Sequence, residues 1–157
     1  MSQVKPSTVF QSSTLFWQGN AKEAGDAIDG DLTTISHTVP ARNADVWFKM
    51  KFDTFQCFSN VVIIQSHWDQ WAVRMDDTNV FVVNTKTGTE SLCGVLKVSD
   101  VMTIEGQTYR IPCDLKCGDE VKLTVRHDSK YEKDACIHMK EITTFHQGNR
   151  GKKFKGS

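Results

Sequence analysis

Between its ends this chain reads as one strand-like run after another, and in the best of them apolar and polar positions alternate with a period near two, the spacing of a strand buried on one face. Phe48-Lys49-Met50-Lys51-Phe52 is the clearest stretch, extended upstream by Val46-Trp47. Val61-Val62-Ile63-Ile64 is a short β-branched run of the kind that fills a sandwich core. Asn79–Val83, Gly94–Val98, Tyr109–Ile111, Val121–Val125 and Cys136–Phe145 continue the series. Turn residues separate the runs at Asp76-Asp77, Thr87-Gly88, Glu105-Gly106 and Cys117-Gly118-Asp119. Only Ala21–Ala27 offers a helical turn, weakened by Gly25. Many short strands with three prolines and no amphipathic helix predict an all-β, antiparallel sandwich or barrel. The expected domain is 9–146, between a loose, polar segment 1–8 and a basic, Gly-rich flexible tail 147–157.

Composition narrows the function classes. The 157 residues suffice for one domain with its own core. Nineteen basic residues balance nineteen acidic ones, so no bulk field draws the chain to nucleic acid or an anionic membrane. No apolar run nears the ~18–20 residues of a membrane span. The opening MSQVKPSTVF lacks a basic-then-apolar leader pattern. Either such a leader has given way to the initiating Met or ordinary secretion is not the route. Catalysis finds no support, because the five histidines are scattered and no nucleophile motif occurs.

The five cysteines (Cys57, Cys93, Cys113, Cys117 and Cys136) lack zinc-ligand spacing. Disulfides with one thiol left over, or paired between chains, are the expectation, which implies an oxidising, extracellular or cell-surface setting. No Asn-x-Ser/Thr sequon adds to that.

Ala27-Ile28-Asp29-Gly30-Asp31, then Ser36-His37-Thr38, then Trp47 resembles the signature of the fucolectin-type (F-type) lectin family, and the resemblance runs from about Thr8 to Phe145. After the strand ending at Gln65, Ser66-His67-Trp68-Asp69 stands where the family carries Asn-Arg-x-Asp, and Arg74 keeps the spacing of its second arginine. Ile137-His138-Met139-Lys140-Glu141-Ile142 resembles the closing Leu-x-Leu-Cys-Glu-Ile strand.

The resemblance implies a jelly-roll β-sandwich whose loops at one end bind fucose- or galactose-type glycans. Carried over by position, His37 and Arg74 would grip sugar hydroxyls. His67 replaces the first arginine, Asp69 stands beside it, and Gln70-Trp71 replaces an adjacent-cysteine pair. Arginine suits this work because its rigid fork of donors can hold two neighbouring hydroxyls. A tryptophan face suits the C–H face of a galactose-like ring. The competing readings are that Trp68 and Trp71 pack inward and that Arg74 forms a salt bridge with Asp69 or Asp76.

The resemblance also implies a structural calcium held by Asp29 and Glu141, with Asp26, Asp31 and Thr34 lending carbonyl or side-chain oxygens. The alternative there is an acidic turn in which Asp29 caps backbone amides. A Cys93–Cys113 disulfide is implied as well. A further family bond has lost both ends, as Ile35 and Lys140, so Cys136 is expected to pair with Cys57 or Cys117. Single-site affinity would be modest, roughly micromolar to millimolar, and useful avidity would need homo-oligomers or tandem copies. The rival functions are protein recognition on the same scaffold and a discoidin-like membrane binder using Trp68 and Trp71 as apolar spikes.

Overall fold

The structure, a computed structural model, describes residues 2–66, 69–98 and 106–146, with only the backbone of residues 69 and 70. Its strands are β1 (Ser2–Val4), β2 (Thr8–Gln11), β3 (Phe16–Trp17), β4 (Asn20–Ala21), β5 (Ser36–His37), β6 (Val46–Gln65), β7 (Thr78–Asn84), β8 (Thr89–Leu96), β9 (Thr108–Val125) and β10 (His138–His146). Every pairing among them is antiparallel, as alternation with short turns requires. The main order is β1-β10-β6-β9-β7-β8, with β2 added on β6 and β5 on β10.

Two long strands turn this path into two layers. The first half of β6 pairs with β2 and with the second half of β9, which continues to β7 and β8. The second half of β6 pairs with β10 and with the first half of β9. Register shifts between Lys51 and Gln56, and positive φ at Asp114 and Leu115, mark where both strands bend. The alternation already evident in the sequence then sends Phe48, Met50, Val121, Leu123, Val80 and Val82 from one layer into the same core as Val61, Ile63, Met139 and Ile142 from the other. Phe52 and Phe58 face each other across the bend, ring centroids 5.0 Å apart.

Several expectations are corrected. Residues 2–4 are not loose: β1 pairs with Thr144–His146 of β10. Cys117-Gly118-Asp119 is no turn but lies inside β9, opposite Gln56 and Cys57. That register makes Cys57 and Cys117 cross-strand partners, and they are disulfide-bonded. Cys93 and Cys113 form the second bond, joining β8 to the first half of β9 as the resemblance implied. Cys136 is therefore the free thiol, and it is buried, so it offers no link between chains. The turn expected within Ala21–Ala27 is a 3-10 helix over Ala24–Ala27, while a helical segment, α1 (Asp69–Ala72) followed by a 3-10 turn over Val73–Met75, was not foreseen. Segment 147–157 and Glu105 lie outside the described residues.

Gly118 of β9 lies between Gln56 of β6 and Val83 of β7. A Cβ built there would lie 2.3 Å from the Val83 carbonyl oxygen and 2.8 Å from Val82 Cγ1. Backbone cannot yield as a side chain would. Gly118→Ala is expected to cost about 1–3 kcal/mol, read as a lower urea midpoint with the slope unchanged. An unaltered midpoint would show that β9 can shift away from β7.

Candidate ligand site at one end of the sandwich

Four segments meet at the mouth of the second layer. β5 pairs with the start of β10, placing His37 opposite His138. The segment α1 to Met75 packs over them, anchored by Ala72 and Met75, both fully buried. The Cys136 N–H donates to the Arg74 carbonyl at 3.1 Å, and the Ile137 N–H to the Thr38 hydroxyl at 2.9 Å. The fourth segment is the end of β6, where the Ser66 hydroxyl lies 3.0 Å from His138 Nδ1.

Partners fix the proton positions. A carbonyl oxygen only accepts, so His138 Nε2 donates to the Trp71 carbonyl at 3.1 Å and Nδ1 accepts from Ser66. By the same logic His37 Nδ1 donates to the Thr38 carbonyl at 2.6 Å. The two imidazoles lie 5.3 Å apart. The Cys136 sulfur sits 3.4 Å from His37 Nδ1, and burial pushes its thiol up to about 12 despite the nearby Arg74 charge. This thiol stays protonated and unreactive at neutral pH.

Arg74 and Trp71 form the outward part of the cluster. The guanidinium carbon is 4.8 Å from the centre of the Trp71 ring, and that ring is 44% exposed. Trp71 therefore does not pack inward. The expected Asp76 partner of Arg74 is engaged elsewhere, its carboxylate accepting from the Val98 N–H at 2.9 Å. Arg74 Nε is buried with no hydrogen-bond partner among the described residues. An orphaned buried donor is costly, about 1–3 kcal/mol, unless an incoming oxygen satisfies it.

Of the five sugar-site residues expected, the structure brings His37, Trp71 and Arg74 together. His37, at 2% exposed, lies beneath the surface. His67, with Trp68 beside it, lies outside the described residues, and Asp69 is described only as the first residue of α1. Ser66, Cys136 and His138 were not singled out for this site. Nothing in the sequence pattern marks them, since their role comes from the crossing of β5, β6 and β10. His127 is likewise buried, with ring nitrogens 3.1 Å from the Lys133 and Asp76 carbonyls.

The acidic loop is the second feature. Gly30, at φ 76°, makes the tight turn and aims its N–H at both Glu141 oxygens, 3.3 and 3.2 Å away. The Thr34 hydroxyl lies 2.6 Å from an Asp29 carboxylate oxygen, 3.0 Å from the Asp31 carbonyl and 3.3 Å from the Asp26 carbonyl. Asp29 also caps the Asp31 N–H at 2.9 Å, so the capping reading holds alongside the clustering. The Asp26 carboxylate is taken by the Glu23 N–H and that of Asp31 by Thr33, which leaves their carbonyls to the cluster. Burial, together with the neighbouring Asp29 charge, pushes the Glu141 carboxyl above its ordinary range, against the pull of the Gly30 N–H. Among the described residues, no three side chains of the His, Cys, Asp and Glu types are placed to hold a metal ion together. The loop instead offers two mutually repelling carboxylates among carbonyl and hydroxyl oxygens, the donor set a hard cation takes.

Solved structures share this architecture. The fucolectin from striped bass (Morone saxatilis) serum superposes with a TM-score of 0.69 at 17% identity, over 88% of this chain and 45% of that one. The chain has the F-type lectin fold. The lectin domain of lectinolysin, solved with Lewis b antigen, gives a TM-score of 0.71 at 15% identity, covering 92% of this chain and 95% of that one. The F-type fold extends to discoidin-like relatives: the family 32 carbohydrate-binding module of C. perfringens NanJ, solved with galactose, gives 0.60 at 15% identity, over 87% and 91% of the two chains. This chain spans less than half the length of the striped bass fucolectin chain. No family model and no curated protein matches the sequence.

Proposed function

We propose that this domain is a calcium-supported lectin that binds fucose- or galactose-type glycans without acting on them. The carrying observation is the Arg74–Trp71 pair: a planar fork of donors, one of them orphaned, packed against a partly exposed aromatic face. That pairing suits a sugar, whose hydroxyls take the fork and whose C–H face covers the ring. His67 and Asp69, just ahead of Trp71 in the sequence, complete the contacts in this reading. His37 holds the floor through Thr38, Cys136 and His138.

Calcium held by Asp29 and Glu141 would supply charge neutralisation that ties the turn at Gly30 to β10, three residues along from His138. The carbonyls of Asp26 and Asp31 and the Thr34 hydroxyl fill out its oxygens. Two disulfides support an oxidising, extracellular setting. The protonated Cys136 supports binding rather than chemistry.

A broad glycan array probed in calcium buffer, with a parallel EDTA arm, tests this. Fucosylated or galactose-type hits that disappear in EDTA are expected. A blank array from folded, calcium-loaded protein overturns the reading and favours protein recognition on the same loops.

A further inference from the structure

A groove of about 710 Å³ runs over the outer face of the first layer, away from the Arg74 cluster. Its floor follows from the register. Trp47, Thr124, Asn79 and Val95 form one row across β6, β9, β7 and β8, and Lys49, Lys122 and Phe81 form the next. Lys49 and Lys122 are thus directly opposed like charges, an arrangement that normally weakens a sheet. Each rides on an aromatic ring, Lys49 at 4.5 Å from the centre of Trp47 and Lys122 at 5.6 Å from that of Phe81.

The charges around the groove do not cancel. Lys122 pairs with Glu90, Lys97 with Asp77, and Arg126 with Asp45 at 3.4 Å. Lys49 has no carboxylate partner among the described residues. Beside it, the Thr124 hydroxyl and the Asn79 amide also make no side-chain hydrogen bond among the described residues. Of the floor strands, β6, β9 and β7 each have a neighbour on both sides and only β8 is an edge, so over the lysine pair main-chain capture of an extended peptide is closed off. Recognition must come from side chains: an ammonium restrained over a ring, a hydroxyl, an amide and two aromatic flanks. Four strands span about 14 Å, longer than one sugar ring.

We propose that this face is a second glycan site, separate from the Arg74 cluster, that takes an oligosaccharide bearing a carboxylate or sulfate. The acidic group sits between Lys49 and Lys122 and relieves their repulsion. Neighbouring sugars lie over Thr124 and Asn79 and against the edges of Trp47 and Phe81. The lysines are already held in place, so little side-chain freedom is lost on binding.

The probe is a sulfated, uronate-containing tetrasaccharide of the chondroitin type, titrated into ¹⁵N-labelled protein. Saturable shifts of the Trp47 indole N–H and the Lys49, Lys122 and Thr124 amides are expected, weakening as salt rises. Lys49→Ala should weaken binding about tenfold or more, Lys49→Arg should restore most of it, and Arg74→Ala should leave it unchanged. That last arm separates this site from the lectin reading, which fails or stands on its own array. Shifts confined to the Arg74 loops overturn the proposal. So does equal binding of the desulfated, carboxyl-reduced tetrasaccharide, or of a polyglutamate peptide, which would mark unspecific charge attraction.

Discussion

Arg74→Ala should reduce affinity for any array-positive glycan by about 30-fold or more, because charge-assisted hydrogen bonds contribute roughly 1.5–3 kcal/mol each. Arg74→Lys should not rescue it. Lysine places a point charge where the site offers a planar fork stacked on Trp71, and cannot grip two hydroxyls from one plane. Thermal stability separates this from simple unfolding. Truncation removes the orphaned Nε along with the stack on Trp71, two opposed effects, so the ligand-free variant should melt close to the parent. Isothermal titration calorimetry on the two variants, with melting curves beside it, reads both quantities. Affinity within twofold of the parent for Arg74→Ala would move the sugar site away from this cluster.

The acidic loop carries the second large effect. Calcium at about 100 times its dissociation constant should stabilise the domain by about 2.7 kcal/mol, a rise of roughly 5–10 °C for a chain of this size. Asp29→Asn and Glu141→Gln should each remove most of that rise. Asp31→Asn should keep it, because the Asp31 carboxylate is spent on Thr33 and only its carbonyl faces the cluster.

In EDTA the pH dependence carries its own signature. The Glu141 carboxyl titrates above its ordinary 4.5 in the folded chain. Its ionised form is therefore disfavoured by folding, so this group lowers stability at neutral pH. That loss is relieved as pH falls through the raised value towards 4.5. Asp31, Asp77 and Asp119 are lowered by their hydrogen bonds and oppose this only below about their ordinary 3.8. Glu141→Gln should thus raise the stability of calcium-free protein at neutral pH, and its lead over the parent should shrink on mild acidification. Differential scanning calorimetry across pH tests it. A calcium rise that survives Glu141→Gln would place any bound cation elsewhere.

Much of the architecture was legible in the residues. Period-two runs such as Phe48–Phe52 and Val121–Val125 report which side chains face the core, because pleating alternates them whatever strand lies alongside. The acidic loop was legible too, since Asp26, Asp29, Asp31 and Thr34 are close in sequence and Gly30 marks a turn. What alternation leaves open is which strand lies beside which. The sequence therefore could not show that Cys117 faces Cys57 within a strand, or that Gly118 is pressed against Val83.

The candidate site divides along the same line. Its identities, His37, Trp71 and Arg74, could be read from spacing and resemblance, because such patterns travel with a fold. Their surroundings could not. His37 is sunk beneath the surface, Cys136 is a buried thiol rather than half of a bond, and the His138 Nε2–H donates a hydrogen bond to the Trp71 carbonyl. The opposed Lys49 and Lys122 lie 73 positions apart and become neighbours only through the β6–β9 register. The sequence by itself determined the core-facing runs of the long strands and the local acidic turn, all set by contacts short in chain distance. The tertiary structure decided the disulfide partners, the depth of His37 and the charges that share the groove, because each depends on long-range strand register, and a shift of one residue would send every side chain to the other face.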